Sequence, residues 1–332
     1  MVWSGFIDAL ALRAPQANRR QRIISLSDTK QPEAAARSLR TIMKTIAIIG
    51  SSGTNTRPWT DAFLKAGWHI RSLVRDPRKI ERGPHLTATA FDFSDPQSHA
   101  PALAGVDVLA LITPAQPDQV AWESALIAAA QRAAVGGIMK LSVLGAETAA
   151  PISFFARNAA QVEQALRASG VPHVILRANG FMQNVLRQRA AIEAGNFVEP
   201  SGATAASRID VHDLADVAVA VASRPFDGRA LTLTGPAALT GDQMAATLAS
   251  VLGRPVRYVS PPLPQFRAAL VERGLPAWQI DAFVELQEAV LDGRAPHLAV
   301  VTKDVEANTG RPPRSFAQFA QREFGRSKQH PL

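Results

Sequence analysis

No cysteine occurs among the 332 residues. That absence removes disulfides, thiolate nucleophiles, cysteinyl zinc sites and iron–sulfur clusters together, and it agrees with a reducing compartment, so a cytoplasmic location is expected. Tyrosine is nearly as scarce: Tyr258 is the single instance, so chemistry that needs a phenol has one candidate. No apolar run reaches the roughly 18 residues that a membrane-spanning helix requires, and no membrane association is expected. The seven histidines are scattered, and His212-Asp213 lacks a third ligand at useful spacing, so no metal site is expected. Ser142 has no G-x-S-x-G frame, which disfavours a hydrolase elbow.

What is present is an ordinary globular composition, 47% apolar, in a chain long enough for one large α/β domain with an appendage. The net charge of +8 suggests nucleic acid until it is located. Residues 1 to 44 hold eight Lys or Arg and three acids, which leaves +3 for the other 288. No basic stripe interleaved with aromatics is visible, so no nucleic-acid partner is expected. The Arg-rich segment 1–42 precedes Met43-Lys44-Thr45-Ile46, which reads as a natural start of a first strand. That segment is expected to be a disordered extension or a start-site artefact; its three acids count against a targeting peptide.

From Thr45 the chain alternates short apolar runs with helical stretches. Ile46–Ile49, His69–Val74, Thr87–Phe91, Val106–Ile112, Ile138–Ser142 and Val174–Leu176 read as strands, and Trp59–Ala66, Gln119–Ala134 and Phe155–Ser169 as helices. Crossovers of that length oblige parallel strands, so the expected fold is α/β, a Rossmann-type doubly wound parallel sheet. Past residue 180 the pieces shorten, and a smaller mixed α/β C-terminal region on the substrate side is expected. The organisation read here is a core over 43–180, the smaller region over 181–326 and a tail over 327–332.

The motif that carries chemistry is Gly50-Ser51-Ser52-Gly53-Thr54-Asn55-Thr56, which follows a strand and opens a helix with the spacing G-x-x-G-x-x-G and Thr in the last place. The first glycine permits the sharp turn, and the second lets the backbone approach a pyrophosphate lying on bare amides at the helix N-terminus. Thr56 adds a side chain where the third glycine normally allows close packing, so the helix is expected to sit slightly farther out. About 20 residues on, the second strand ends in Val74-Arg75-Asp76-Pro77-Arg78-Lys79. Arg75, with Arg78 and Lys79, can pair with a 2′-phosphate in bidentate fashion, which points to NADPH. Asp76 follows directly and can serve ribose hydroxyls, so NADH stays open.

Further motifs follow in order: Phe91-Asp92, Leu141-Ser142-Val143-Leu144-Gly145-Ala146, Ser169-Gly170-Val171-Pro172, Ile175-Leu176-Arg177-Ala178-Asn179-Gly180-Phe181-Met182-Gln183-Asn184, Ile209-Asp210-Val211-His212-Asp213-Leu214-Ala215 and Leu233-Thr234-Gly235-Pro236. As a series over about residues 44 to 325 they resemble the NmrA-like atypical short-chain dehydrogenase/reductases, a group that includes quinone reductases, azoreductases and ergot-alkaloid dehydrogenases. The resemblance implies that Gly50, Ser52, Gly53, Thr54 and Asn55 cradle the pyrophosphate and that Asp92 and Phe93 flank the adenine. It implies that Thr113 and Pro114 border the ribose near the nicotinamide, and that Phe181, Met182 and Asn184 begin a substrate wall. Ser142 stands where related enzymes keep a catalytic serine; a small residue ending a buried strand is the other reading.

The chain departs from that pattern where proton transfer is concerned. The wider superfamily uses Tyr-x-x-x-Lys, in which the lysine lowers the phenol pKa. The segment Phe154 to Glu163 contains no such pair and shows Ala159 and Ala160 instead, while Tyr258 reads as a strand residue packing its ring. Trp122 and Phe154-Phe155 are placed to line a pocket, but aromatic side chains at helical spacing are more often core, and core is the reading taken for them. Two functional classes are left open. One is an NADPH-dependent oxidoreductase reducing a small quinone-, azo- or imine-like acceptor without the dyad. The other is a non-catalytic NADP-sensing regulator of NmrA type, which would need a regulatory protein partner.

Overall fold

The computed structural model describes residues 43–51, 53 and 55–325. The extension 1–42, Ser52, Thr54 and the last seven residues lie outside that set. Seven strands, β1 (Thr45–Ile49), β2 (His69–Val74), β3 (Leu86–Ala90), β4 (Val108–Leu111), β5 (Gly137–Val143), β6 (His173–Ala178) and β8 (Ala230–Leu233), form one sheet in the order β3-β2-β1-β4-β5-β6-β8. Every pairing in it is parallel. The strand order reverses between β1 and β4, where doubly wound sheets open a ligand crevice at the strands' carboxyl ends.

Alternation along the strands decides which helix covers which face. Ile46, Ile48, Ile70, Val108 and Met139 meet α1 (Arg57–Lys65) and α6 (Val211–Ala222). Ala47, Leu73, Leu109, Ile138 and Ile175 meet α2 (His99–Leu103), α3 (Gln119–Arg132) and α4 (Phe154–Ala168). With both faces covered, the central strands β1 and β4 are apolar from Ile46 to Ile49 and from Val108 to Leu111. On α1 the covering residues are Trp59 and Phe63, both fully buried. Truncating a phenyl ring in such a site costs about 3–5 kcal/mol.

The seventh strand comes from beyond residue 180: β8 pairs with β6 through Ile175–Ala230 to Ala178–Leu233. Its four residues are too few to signal a sheet position on their own. Only the burial of Leu231 and Leu233 beside β6 shows which sheet they join. The rest of the C-terminal part packs around a third apolar cluster. There β7 (Asn196–Val198) pairs in parallel with β9 (Arg257–Val259), beside α5 (Arg189–Glu193), α7 (Gly241–Leu252) and α11 (Phe316–Phe324). Thr240 and Gln243 close a capping box that starts α7, and Gly253 ends it at φ 66°. The hairpin of α8 (Leu263–Glu272) and α9 (Ala277–Leu291) and the short α10 (Asp304–Thr309) complete the described helices.

Three local readings gain a physical account. Tyr258 packs against Phe197 at 6.0 Å and bonds its hydroxyl to the carbonyls of Glu199 and Gly202 at 2.9 and 3.0 Å, a purely structural role. In the motif Ile209 to Ala215 the helix α6 begins at Val211, because Asp210 caps it by accepting the His212 amide at 3.0 Å. Phe154 and Phe155 pack against Trp278 and Phe283 of α9. Among the described residues no helix is long and apolar enough to cross a membrane.

Candidate functional site

A cleft of about 860 Å³ opens at the carboxyl ends of β1 to β4. Its floor is Ile49 and Gly50 at the end of β1. Gly50 has φ 62°, a conformation that favours glycine, and a Cβ built there would meet nothing within 4 Å, so the backbone lies open to a ligand.

The turn after Gly50 is tied to itself. The Gly50 carbonyl accepts from the Gly53 amide at 3.0 Å and from the Thr56 hydroxyl. The Gly53 carbonyl in turn accepts from the amides of Thr56 and Arg57 at 3.0 and 2.8 Å. Pro58, at the second position of α1, has no N–H to offer. This corrects the expectation of a row of bare amides: those of Gly53, Thr56 and Arg57 are spent inside the loop. Thr56 does not act as a spacer alone; its side chain closes the turn, and Thr60 extends the tie by donating to the Ser51 carbonyl at 3.1 Å. Below them the Ser51 and Ser72 hydroxyls meet at 2.6 Å and join the turn to β2. Asn55 is half-buried beside the turn. Ser52 and Thr54, expected in the cradle, lie outside the described residues.

At the end of β2 the charges are sorted by hydrogen bonding. Asp76 caps the 3-10 turn Pro77–Lys79 through the Arg78 amide at 3.1 Å and pairs with the Arg78 guanidinium at 2.9 and 3.2 Å. Those bonds hold the Asp76 carboxyl below the usual carboxylate range. Arg78 is therefore occupied with Asp76, whereas Arg75 and Lys79 are exposed, line the cleft and form no ion pair among the described residues. The spare positive charge faces the cavity.

The far wall is aromatic. Phe93 stacks on Trp122 with centroids 5.4 Å apart and planes 5° from parallel, and Phe91 meets Phe93 edge-on at 5.0 Å. Trp122 is thus cleft lining, which overturns its reading as core; α3 starts above the sheet edge, and its first turn faces the opening. Asp92, between Phe91 and Phe93 in the chain, also lines the cleft, and the Ser94 hydroxyl and amide hold its carboxyl below the usual range, with smaller help from Arg75 and His99.

Pro114 and Gln116, past the end of β4, complete the wall. Thr113, just before them, donates its hydroxyl to Glu123. Glu123 also receives the Gln119 amide at 2.8 Å and the Lys140 ammonium at 2.9 Å. Gln116 belongs to no motif in the sequence.

The remaining expected residues lie elsewhere. Ser142 is 2% exposed and donates to Glu163 at 2.6 Å, and Glu163 is gripped by Arg177 at 3.0 and 2.6 Å. The hydroxyl is turned into the β5–α4 packing and is not presented to the cleft, which favours the structural reading. Phe181 packs on the core, and Asn184 is exposed. Met182 is buried against a separate cavity of about 210 Å³ formed with Leu239, Met244 and Phe316. None of these three lines the large cleft.

Comparison with known proteins gives the family and the fold. The NmrA-like family matches residues 43–293. The NAD(P)H azoreductase of Xenophilus azovorans is 36% identical over 283 residues, 83% of this chain and 96% of the relative. The solved NADPH-dependent quinone oxidoreductase of Escherichia coli, complexed with NADPH, superposes with a TM-score of 0.75 at 26% identity, covering 84% of this chain and all of that one. The negative transcriptional regulator NmrA in complex with NAD reaches a TM-score of 0.69 at 17% identity, covering 85% and 95%, a likeness of fold alone.

Proposed function

The chain belongs to the NmrA-like family, and from that premise we propose that it is an NADPH-dependent oxidoreductase that reduces a small acceptor of quinone, azo or imine type. The observation that carries the reading is the pairing of Asp76 with Arg78, which leaves Arg75 and Lys79 as net positive charge in a cleft beside Gly50. A carboxylate at this place selects a ribose hydroxyl; a neutralised carboxylate beside a spare guanidinium selects a 2′-phosphate.

The residues present fit a dinucleotide. Gly50 gives backbone access, Arg75 and Lys79 face one end, and Phe93 and Trp122 offer an aromatic wall. When bound, the coenzyme supplies a hydride. The chain's own share is to bind, orient and exclude water, because α4 holds Ala159 and Ala160 where a proton-donating dyad would sit and Tyr258 is committed to β9 packing. Proximity and orientation suffice for acceptors that take hydride readily.

The regulatory alternative rests on a likeness of fold, whereas the azoreductase relative is 36% identical over nearly its whole length. The deciding experiment mixes the purified protein with NADPH and a panel of quinones, azo dyes and imines and follows the nicotinamide absorbance. Coenzyme consumption with at least one acceptor is expected. Saturable binding with no oxidation by any of them would return the protein to the regulatory class.

A further inference from the structure

Gln116 lies in the loop between β4 and α3, with its side chain in the cleft wall. Its carbonyl accepts two hydrogen bonds, from the Gln119 amide at 3.1 Å and from the Asn158 side chain on α4 at 3.3 Å, so its backbone is held from two sides. Its terminal Nε2 is buried and has no partner among the described residues. Buried amide N–H groups without a partner are rare, and one in a ligand cleft calls for a ligand atom.

What that atom belongs to follows from the neighbours. The stacked pair Phe93 and Trp122 lines the same cleft as Gln116. A π-face beside a terminal carboxamide is the combination that recognises a purine. The base stacks on the ring, and the carboxamide, one donor and one acceptor side by side, matches the 6-amino group and N7 of adenine. A purine with a carbonyl at carbon 6 shows two acceptors on that edge, O6 and N7, and neither orientation of the carboxamide satisfies both. We propose that Gln116 selects the base of the coenzyme, with Nε2 donating to N7 of adenine and Oε1 accepting from its amino group. Asn158 is then a positioning residue that fixes the Gln116 backbone from α4. This inference rests on the coenzyme reading above and adds to it the residue that chooses the base.

The test compares binding of NADPH and its 6-oxo analogue, reduced nicotinamide hypoxanthine dinucleotide phosphate, by titration calorimetry of the full chain. The wild-type protein and the variants Gln116→Leu and Gln116→Met are used, with thermal unfolding run in parallel. Wild type is expected to prefer NADPH by on the order of tenfold. Both variants should bind the two coenzymes alike, with NADPH weakened to the level of the analogue and unfolding temperatures unchanged. Equal binding of both by wild type, or a preference that survives in the folded variants, would overturn the assignment. Binding of neither coenzyme by wild type would instead remove the coenzyme reading itself, and this inference with it.

Discussion

Lys140 on β5 and Glu123 on α3 meet inside the protein with Nζ 2.6 Å from Oε2, their side chains 1% and 0% exposed. Two ions so far from water hold together only because each satisfies the other, and Glu123 also takes the bonds of Thr113 and Gln119. The pair thereby anchors the β4–α3 segment that carries Pro114, Gln116 and Trp122 into the cleft.

Removing one partner strands the other charge. Lys140→Met is expected to lower the unfolding free energy by about 3–5 kcal/mol, whereas the double variant Lys140→Met with Glu123→Leu should recover much of it. Urea titrations of the three proteins check this; a single variant as stable as wild type would contradict it.

The two arginines after β2 should behave in opposite ways. Arg75→Ala is expected to weaken NADPH on the order of tenfold and leave NADH nearly unchanged, because only the former carries the phosphate it would pair with. Arg78→Ala frees the Asp76 carboxylate from its partner and should shift preference toward NADH. Nicotinamide fluorescence titrations with both coenzymes separate these outcomes, and equal losses for NADPH and NADH in Arg75→Ala would reduce that residue to surface charge.

Acid stability should depend on Asp210. Its burial alone would raise the carboxyl pKa, but the bonds it accepts from His212, Arg322 and Gln183 outweigh burial and hold the group well below the usual range. A carboxyl depressed in the folded state adds stability that is complete above its unfolded pKa of about 3.9 and is lost as pH falls from there toward the folded value. Unfolding midpoints from pH 7 down to 3 should therefore fall more steeply for wild type than for Asp210→Asn below about pH 4. Parallel curves would show that the carboxylate is not the group that titrates.

Ser142 gives a test of what is not chemistry. Its hydroxyl is bonded to Glu163, which Arg177 still holds when the serine is gone. Ser142→Ala should cost about 1–2 kcal/mol of stability and leave turnover within about threefold of wild type. A loss of turnover by orders of magnitude in a folded variant would return Ser142 to the reacting centre.

The strands and most helices were legible because their signals are local. Ile46–Ile49 and Ile138–Ser142 are apolar runs bounded by turn residues, and Thr240 with Gln243 spells a helix start within four positions. The 3-10 stretch Met182–Gln188 and the strand β7 were not legible, since three residues, Asn196 to Val198, become a strand only when Arg257–Val259 arrives beside them from 61 residues away. In the site, Gly50 and Arg75 announced themselves through position after a strand. Gln116 did not, because nothing in its neighbours says that its amide is buried or that Trp122 will stack on Phe93 in the cleft wall.

Sequence alone determined the parallel alternation, the glycine turn and the cationic end of β2, features whose physics is complete within a few consecutive residues. Tertiary structure decided which charges stay available. Whether Arg78 joins Arg75 or cancels Asp76, whether the Thr56 hydroxyl occupies the Gly50 carbonyl, and whether Ser142 points at a ligand or at Glu163 each depend on which partner comes within about 3 Å. Hydrogen bonds and ion pairs are short-ranged and exclusive, and only the folded chain settles which of several chemically equal partners is close enough.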